Sequence, residues 1–264
     1  MSYIYKTIIV GATPQGLELA KLLATTKRNV VLVSENFIYK NKTDTLENID
    51  IVEDKAIFLS FSHGLFGVAL SKGGNIYGCS IVFATGTYPS TLPFKGNGIY
   101  YKAVDIKNKQ KMSQAIVYGD NQRAVKNAIA LAKKFSYIYL CTPTFEICNS
   151  KRLEKKLNET INIAHLPSCH IKTCKHDIKT KDLFEVQLDT YDTIKASALV
   201  IDVGRYPDLP DFADKYIDKD TKGFAITKDF ESTKIPNVFA IGDLLQKCSK
   251  KDLQALSQII KNRF

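Results

Sequence analysis

The sequence predicts an α/β fold with two strand–turn–helix–strand units, each with a parallel sheet and a β-meander. Three observations predict it. A β-branched run, a glycine turn and a helical pattern open the chain. The same plan returns after residue 114. Short alternating segments, punctuated by glycine and proline, fill much of the remainder.

Ile8, Ile9 and Val10 form the first apolar run, as expected of a strand buried on both faces of a parallel sheet. Gly11 and Gly16 mark the turn, and Leu17, Ala20, Leu22, Leu23 and Ala24 supply a helix with an apolar face. Val30–Val33 is the next strand and ends at Ser34-Glu35. This is a βαβ unit with a dinucleotide-type turn, followed about 20 positions later by an acidic residue where a ribose hydroxyl would be read. In G-x-G-x-x-G the outer glycines serve the turn and the helix packing, while the middle one lets a diphosphate approach the backbone. Here the middle position is Thr13, so the requirement of the fold is met and that of the ligand is weakened.

Residues 36–48 are polar and lysine-rich, a loop or a short helix. Lys55–Phe61, Leu65–Ser71 and Asn75–Phe83, separated by Ser62-His63-Gly64 and Lys72-Gly73-Gly74, read as a meander that ends at Ala84-Thr85-Gly86. Gln114–Tyr118 begins the second unit. Gly119 and Ala124 take the structural positions of its turn, Asn121 the middle one, and a helix at Ala124–Lys134 leads to a strand at Tyr137–Cys141. A helix at Ser150–Asn158 and a strand at Ile161–Leu166 follow. Alternating segments come next, at Phe184–Leu188 and Ala198–Val203. A last helix, Asp252–Asn262, puts Leu253, Leu256, Ile259 and Ile260 on one face.

The 264 residues suffice for one large domain or two of ordinary size, and 45% hydrophobic with 24% charged residues is a globular composition. No run reaches about 18 apolar residues, so no membrane span is expected. The first strand begins within about five residues, leaving no room for a signal peptide, and a cytoplasmic location is expected. The net charge of +10 raises nucleic-acid binding as an option. The lysines are spread along the chain, however, and the densest run (Lys107, Lys109, Lys111) has no interleaved aromatics, so a solvated basic surface is expected instead. The cysteines are Cys79, Cys141, Cys148, Cys169, Cys174 and Cys248, none spaced C-x-x-C. Cys141 and Cys148 flank Pro143 as a redox pair or as two separately buried thiols, the latter being the default. Cys169, His170, Cys174 and His176 invite a metal reading, but their spacing is not that of a zinc site, and no metal is expected.

GATPQG at 11–16, ATG at 84–86, GDNQRA at 119–124, DVGRYPD at 202–208 and PNVFAIGD at 236–243 occur in one order along nearly the whole chain. Together they resemble the thioredoxin-reductase-like branch of the FAD/NAD(P)-binding flavoproteins, the pyridine nucleotide-disulfide oxidoreductase fold. The resemblance implies two Rossmann-like dinucleotide-binding-type domains, the second inserted in the first. Residues 1–104 and 216–264 would form an FAD-binding-type domain and residues 105–215 an NAD(P)-binding-type domain. It also implies that Gly11, Ala12, Thr13, Pro14, Gln15 and Gly16 line the FAD pyrophosphate and that Ser34 or Glu35 faces the adenosine ribose. Ala84, Thr85 and Gly86 would lie beside the cofactor, and Gly242 and Asp243 at its ribityl chain. For Asp243 a helix N-cap is the alternative, compatible role.

Four departures from the family's pattern qualify this. Where a C-x-x-C is expected, residues 101–105 read Tyr-Lys-Ala-Val-Asp. The basic H-R-R motif that reads the 2′-phosphate of NADPH is replaced by Cys141-Thr142-Pro143-Thr144. The span from Glu35 to Ala84 is short, and an R-Q-A contact becomes Lys250-Lys251-Asp252. The expectation is an FAD-binding oxidoreductase-like protein without dithiol–disulfide chemistry and without NADPH specificity. Its acceptor would be a protein redox partner or a small molecule, and a homodimer is allowed. No side chain can be named as acid, base or nucleophile. The alternative is a non-catalytic scaffold, regulatory subunit or nucleotide sensor that retains the fold.

Overall fold

The computed structural model describes residues 3–24, 29–35, 37, 48–106, 113–147, 150–245 and 249–264. The chain divides into two compact units, Met1–Tyr88 with Tyr206–Phe264, and Pro89–Arg205.

The first unit starts with β1 (Ile4–Val10), α1 (Pro14–Leu23), β2 (Val30–Val33) and β3 (Ile49–Val52). It continues through β4 (Ala56–Ser62), β5 (Leu65–Leu70), β6 (Asn75–Phe83) and β7 (Thr87–Pro89). β1 lies between β2 and β6, parallel to both, and β3 extends the sheet in parallel beyond β2. Every residue of β2 is buried, which is why its sequence is an unbroken aliphatic run rather than an alternating one. β4, β5 and β6 form the antiparallel meander, with tight turns at His63-Gly64 and Gly73-Gly74.

The second unit contains β8 (Ile99–Tyr100), β9 (Gln114–Tyr118), α2 (Gln122–Leu131), β10 (Tyr137–Cys141) and α3 (Lys151–Asn158). β11 (Ile163–Leu166), β12 (Ile171–His176), β13 (Leu183–Leu188), β14 (Ile194–Lys195) and β15 (Ala198–Ile201) complete it. Its sheet runs β11-β10-β9-β15-β8, all parallel, and β12-β13-β14 is a separate meander. Both sheet faces are covered. Val117, Val125, Leu131 and Leu140 pack on the α2 side, and Ile116, Cys141, Cys169 and Leu199 on the other.

The chain then returns through β16 (Arg205–Pro207), β17 (Asp218–Lys219), β18 (Ala225–Lys228), β19 (Glu231–Ser232), β20 (Val238–Ala240) and α4 (Lys250–Arg263). β16 pairs with β7, so the two crossing strands run side by side. β20 adds to the first sheet in parallel beside β6. Leu253, Leu256 and Ile260 of α4 share a buried cluster with Leu19 and Leu23 of α1. Ser249 and Asp252 form a reciprocal capping box that fixes where α4 begins.

The unit boundaries fall at 88/89 and 205/206, not at 104/105 and 215/216. β8 belongs to the second sheet through its pairing with β15. Ala213, Tyr216 and Ile217 are buried in the first core, where the Tyr216 hydroxyl donates to Leu59 O at 2.7 Å. Ile161, placed in a strand by its sequence, is almost fully exposed, and the strand begins at Ile163. Most of the 36–48 stretch, the Lys107–Lys111 run, Cys148 and Cys248 lie outside the described residues. Among the described residues, no helix is long and apolar enough to cross a membrane.

Candidate functional site

In the first unit the expected ligand residues follow the C-terminal ends of four adjacent parallel strands. Gly11–Gly16 follow β1, Ser34-Glu35 follow β2, Ala84–Gly86 follow β6 and Gly242-Asp243 lie just past β20. In open α/β sheets this edge is where ligands bind. Gly11 has φ +106°, and a Cβ there would stand 2.5 Å from the Ala84 carbonyl carbon and 2.6 Å from Thr85 Cα. That close approach brings the first turn against the ATG segment. Gly16 packs on Gly11 O and Ala84 Cβ, and Gly242 on the Gln15 side chain. Ser34 continues the edge one strand further, its N–H donating to Val52 O.

Thr13 occupies the middle position with a structural role of its own. It is the N-cap of α1, and its Oγ1 accepts from Gly16 N at 3.2 Å. Its Cγ2 lies 2.9 Å from where a Cβ on Gly86 would be. Pro14, in the first turn, has no N–H to offer. The helix terminus therefore presents a reduced set of donors to an anion. Thr85 contributes the opposite feature: its Oγ1 is buried and has no hydrogen-bond partner. A buried hydroxyl left unsatisfied is costly unless a ligand completes it. Asp243 lies inside the short Gly242–Leu245 turn, not at its cap, which corrects the N-cap expectation. It is exposed, and Thr87 Oγ1 donates to it at 3.5 Å. Thr87 did not stand out in the sequence, and Asp208 entered only as the last residue of the DVGRYPD motif. The Asp208 N–H donates to Gly86 O at 2.8 Å, and burial holds its carboxyl above the ordinary range against the opposing charge of Lys55.

The second turn is built alike and filled by its own side chains. Asn121 caps α2, and its Oδ1 accepts from Arg123 N at 2.8 Å and Ala124 N at 3.0 Å. Its Nδ2 donates to Asp202 O. Arg123 Nε donates to both Asp202 carboxylate oxygens, at 3.2 and 3.1 Å, and Asn127 Nδ2 donates to Oδ2 at 2.8 Å. Burial raises the Asp202 carboxyl above its ordinary range, and Arg123 opposes that shift. The helix donors and the nearby guanidinium thus serve internal acceptors. Asp202 opens the DVGRYPD motif and Arg123 lies within GDNQRA, but their pairing across 79 positions is legible in neither.

Tyr101 holds the segment that carries no C-x-x-C. Its hydroxyl donates to Leu92 O at 2.8 Å and accepts from Leu92 N at 3.3 Å. The histidine–cysteine stretch is only partly strand, with Cys174 and His176 in β12. His170 precedes β12 and meets the Tyr118 hydroxyl through Nδ1 at 3.2 Å, while register shifts in β12 break the alternation. Among the described residues, no group of three or more His, Cys, Asp or Glu is placed to hold a metal ion.

Two dinucleotide-type units, one interrupting the other, define a two-Rossmann α/β protein whose expected ligand residues gather at the carboxyl ends of the first sheet. The chain belongs to the pyridine nucleotide-disulphide oxidoreductase family, whose profile matches residues 5–259. It is 22% identical to the thioredoxin reductase of Mycoplasmopsis pulmonis over 306 aligned positions, covering 99% of this chain and 98% of that one. Those 306 positions exceed the 264 residues here, so the relative carries segments that this chain lacks. The thioredoxin reductase of Borreliella burgdorferi is 23% identical over 194 residues, which span 68% of this chain but only 57% of that protein. Among solved structures, Lactococcus lactis thioredoxin reductase superposes with a TM-score of 0.82 at 17% identity, covering 98% of both chains.

Proposed function

We propose that this protein is an FAD-binding oxidoreductase-like member of its family that works without NADPH specificity and without dithiol exchange at residues 101–105. The observation that carries the reading is the asymmetry between the two turns. The first keeps a close glycine cradle beside a buried, unpartnered Thr85 hydroxyl, whereas the second spends its donors on Asn121 and Asp202.

Gly11–Gly16 would hold the pyrophosphate, Ser34 or Glu35 the adenosine ribose, Ala84, Thr85 and Gly86 the adjoining backbone, and Gly242 with Asp243 the ribityl chain. Bound there, FAD would supply the two-electron chemistry, and the chain's residues would bind and orient it. A cytoplasmic location, and a protein partner or small molecule as acceptor, belong to the same proposal. The test is a visible absorption spectrum of the purified protein, followed by identification of any cofactor released on denaturation. A colourless protein that FAD cannot reconstitute would favour the scaffold or nucleotide-sensor reading. That second reading draws its support from Thr13 and Pro14, which together withdraw donors from α1.

Two substitutions should move FAD affinity in opposite directions. Asp243→Ala removes an acceptor and should weaken binding by about 1–3 kcal/mol, roughly 5- to 150-fold. Thr13→Gly frees Gly16 N–H and removes the methyl beside Gly86, at a capping cost of only a few tenths of a kcal/mol, and should tighten binding. Fluorescence titration of the apoprotein reads both, and unchanged affinity in Asp243→Ala would remove it from the site.

No NADPH-dependent reduction of thioredoxin or of an aromatic disulfide is expected. Residues 101–105 hold no thiol, and Cys141-Thr142-Pro143-Thr144 supplies no guanidinium for a 2′-phosphate. Steady turnover in a coupled NADPH assay, or micromolar NADPH binding by calorimetry, would contradict this.

A further inference from the structure

The two sequence-distant cysteines of the second unit, Cys141 and Cys169, meet inside it. Cys141 ends β10, and Cys169 lies in the connection from β11 to β12; both side chains are fully buried in one cluster. Two backbone hydrogen bonds hold the segments together. Thr142 N donates to Leu166 O, and Cys169 N donates to Thr142 O, each at 3.0 Å. The Cys169 thiol donates to Leu166 O at 3.2 Å, and Leu166 is the β11 residue paired with Cys141 in the sheet, which brings the two cysteines side by side. Cys148, weighed beside Cys141 as a redox pair with two separately buried thiols as the default, lies outside the described residues.

We propose that Cys141 and Cys169 form a reversible dithiol–disulfide couple, a modification site within the second unit whose oxidant is a small hydroperoxide. Adjacency of the two sulfurs is what disulfide formation requires, because the bond tolerates only a narrow range of separations. The thiol of Cys141 stabilises negative charge on Cys169, which lowers the Cys169 thiol and raises that of Cys141, so Cys169 is the attacking group.

Its thiolate attacks one oxygen of hydrogen peroxide. The S–O bond forms, the O–O bond breaks, and hydroxide leaves to be protonated to water, giving a sulfenic acid. Cys141 sulfur then attacks Cys169 sulfur. The S–S bond forms, the S–O bond breaks, and the Cys141 proton leaves with the hydroxyl as a second water. Two thiols and one peroxide give one disulfide and two waters. Two successive exchanges with a small dithiol reverse it.

Burial keeps a protein reductant off both sulfurs, so this couple is not a relocated thioredoxin-type site. Access for small reagents would require opening of the 167–170 connection. Ser168 there is held at φ +51°, a conformation costing about 1 kcal/mol in a non-glycine residue. The Cys141 carbonyl accepts from Gly119 N at 3.0 Å, so the cross-link would form directly behind the second turn.

The test treats reduced full-length protein with hydrogen peroxide under native conditions. Remaining thiols are then blocked with N-ethylmaleimide in denaturant, and peptides are mapped without reduction. The expected result is the loss of two of the six thiols, a Cys141–Cys169-linked peptide, and its disappearance after dithiothreitol. Cys141→Ser and Cys169→Ser should each abolish the linked peptide. The wild-type map stands without them if either variant fails to fold. Full blocking of both residues after oxidation, sulfinic acid at Cys169 without a cross-link, or linkage through other cysteines would overturn the proposal.

Discussion

Gly11→Ala should destabilise the first unit by roughly 3–5 kcal/mol, combining the strain of a positive φ with overpacking. The added methyl would meet Ala84 C and O at 2.5 Å and Thr85 Cα at 2.6 Å, all backbone atoms that no rotamer change can move aside. Gly73→Ala is the control. Its φ of +98° is similarly positive, yet nothing lies within 4 Å of the added atom. It should lose only the conformational part, about 1–2 kcal/mol. Denaturant unfolding followed by circular dichroism measures both, and the difference isolates the steric contribution. Equal losses would mean that the first turn does not press on the ATG segment as described. Because the same contact shapes the proposed cradle, Gly11→Ala should also abolish FAD retention in whatever fraction still folds.

Arg123→Ala should produce the largest electrostatic effect. Breaking a buried pair costs about 3–5 kcal/mol when one charge is stranded. Here Asp202 is 7% exposed and Arg123 44%, so solvent screening reduces the expected loss to about 2–3 kcal/mol near neutral pH. The pH dependence has a definite sign. The Asp202 carboxyl is raised above its ordinary value in the folded protein. Its contribution is therefore fully present below the unfolded pKa and is lost as pH rises through the folded one. Removing Arg123 raises the folded value further, so the variant's deficit should shrink as pH falls to about 4. Arg123→Ala/Asp202→Asn should recover much of the loss at neutral pH by removing the stranded charge. A deficit independent of pH, or a double variant no better than the single, would show that Asp202 is not the group Arg123 holds.

What could be read from the sequence was local. The Val30–Val33 run, the glycine turns of the first meander and the apolar stripe of α4 each declare themselves within about ten residues, because burial on two faces, one face or one stripe leaves a distinct period. Gly11–Gly16 and Ser34-Glu35 were legible through the same strand–turn–helix grammar, whereas Ala84–Gly86 and Gly242-Asp243 came only through the resemblance of their motifs. What escaped depends on distant segments meeting. Asp202 and Arg123 are 79 positions apart and Thr87 and Asp243 are 156. Cys141 and Cys169 meet only because β11 returns beside β10. The unit boundaries moved for that reason too: the two residues of β8 are too few to show a period, and their pairing with β15 assigns them to the second sheet. Thr13 and Asn121 were read as lost ligand positions, and their capping bonds give each a positive reason to be there.

The pairing of β7 with β16 has a kinetic meaning. The first unit cannot close its core until the returning chain reaches it, as in the contact of Tyr216 with Leu59, 157 positions away. Closing so long a flexible loop is slow, and the entropy to be lost grows with its length. A second unit that collapses first brings its own ends together, with Ser90 N donating to Gly204 O at 3.0 Å. The loop that the first unit must then close is only a few residues in effect. Refolding is expected to run inner unit before outer, and substitutions that loosen the inner core should slow completion of a sheet they never touch, which stopped-flow refolding would measure.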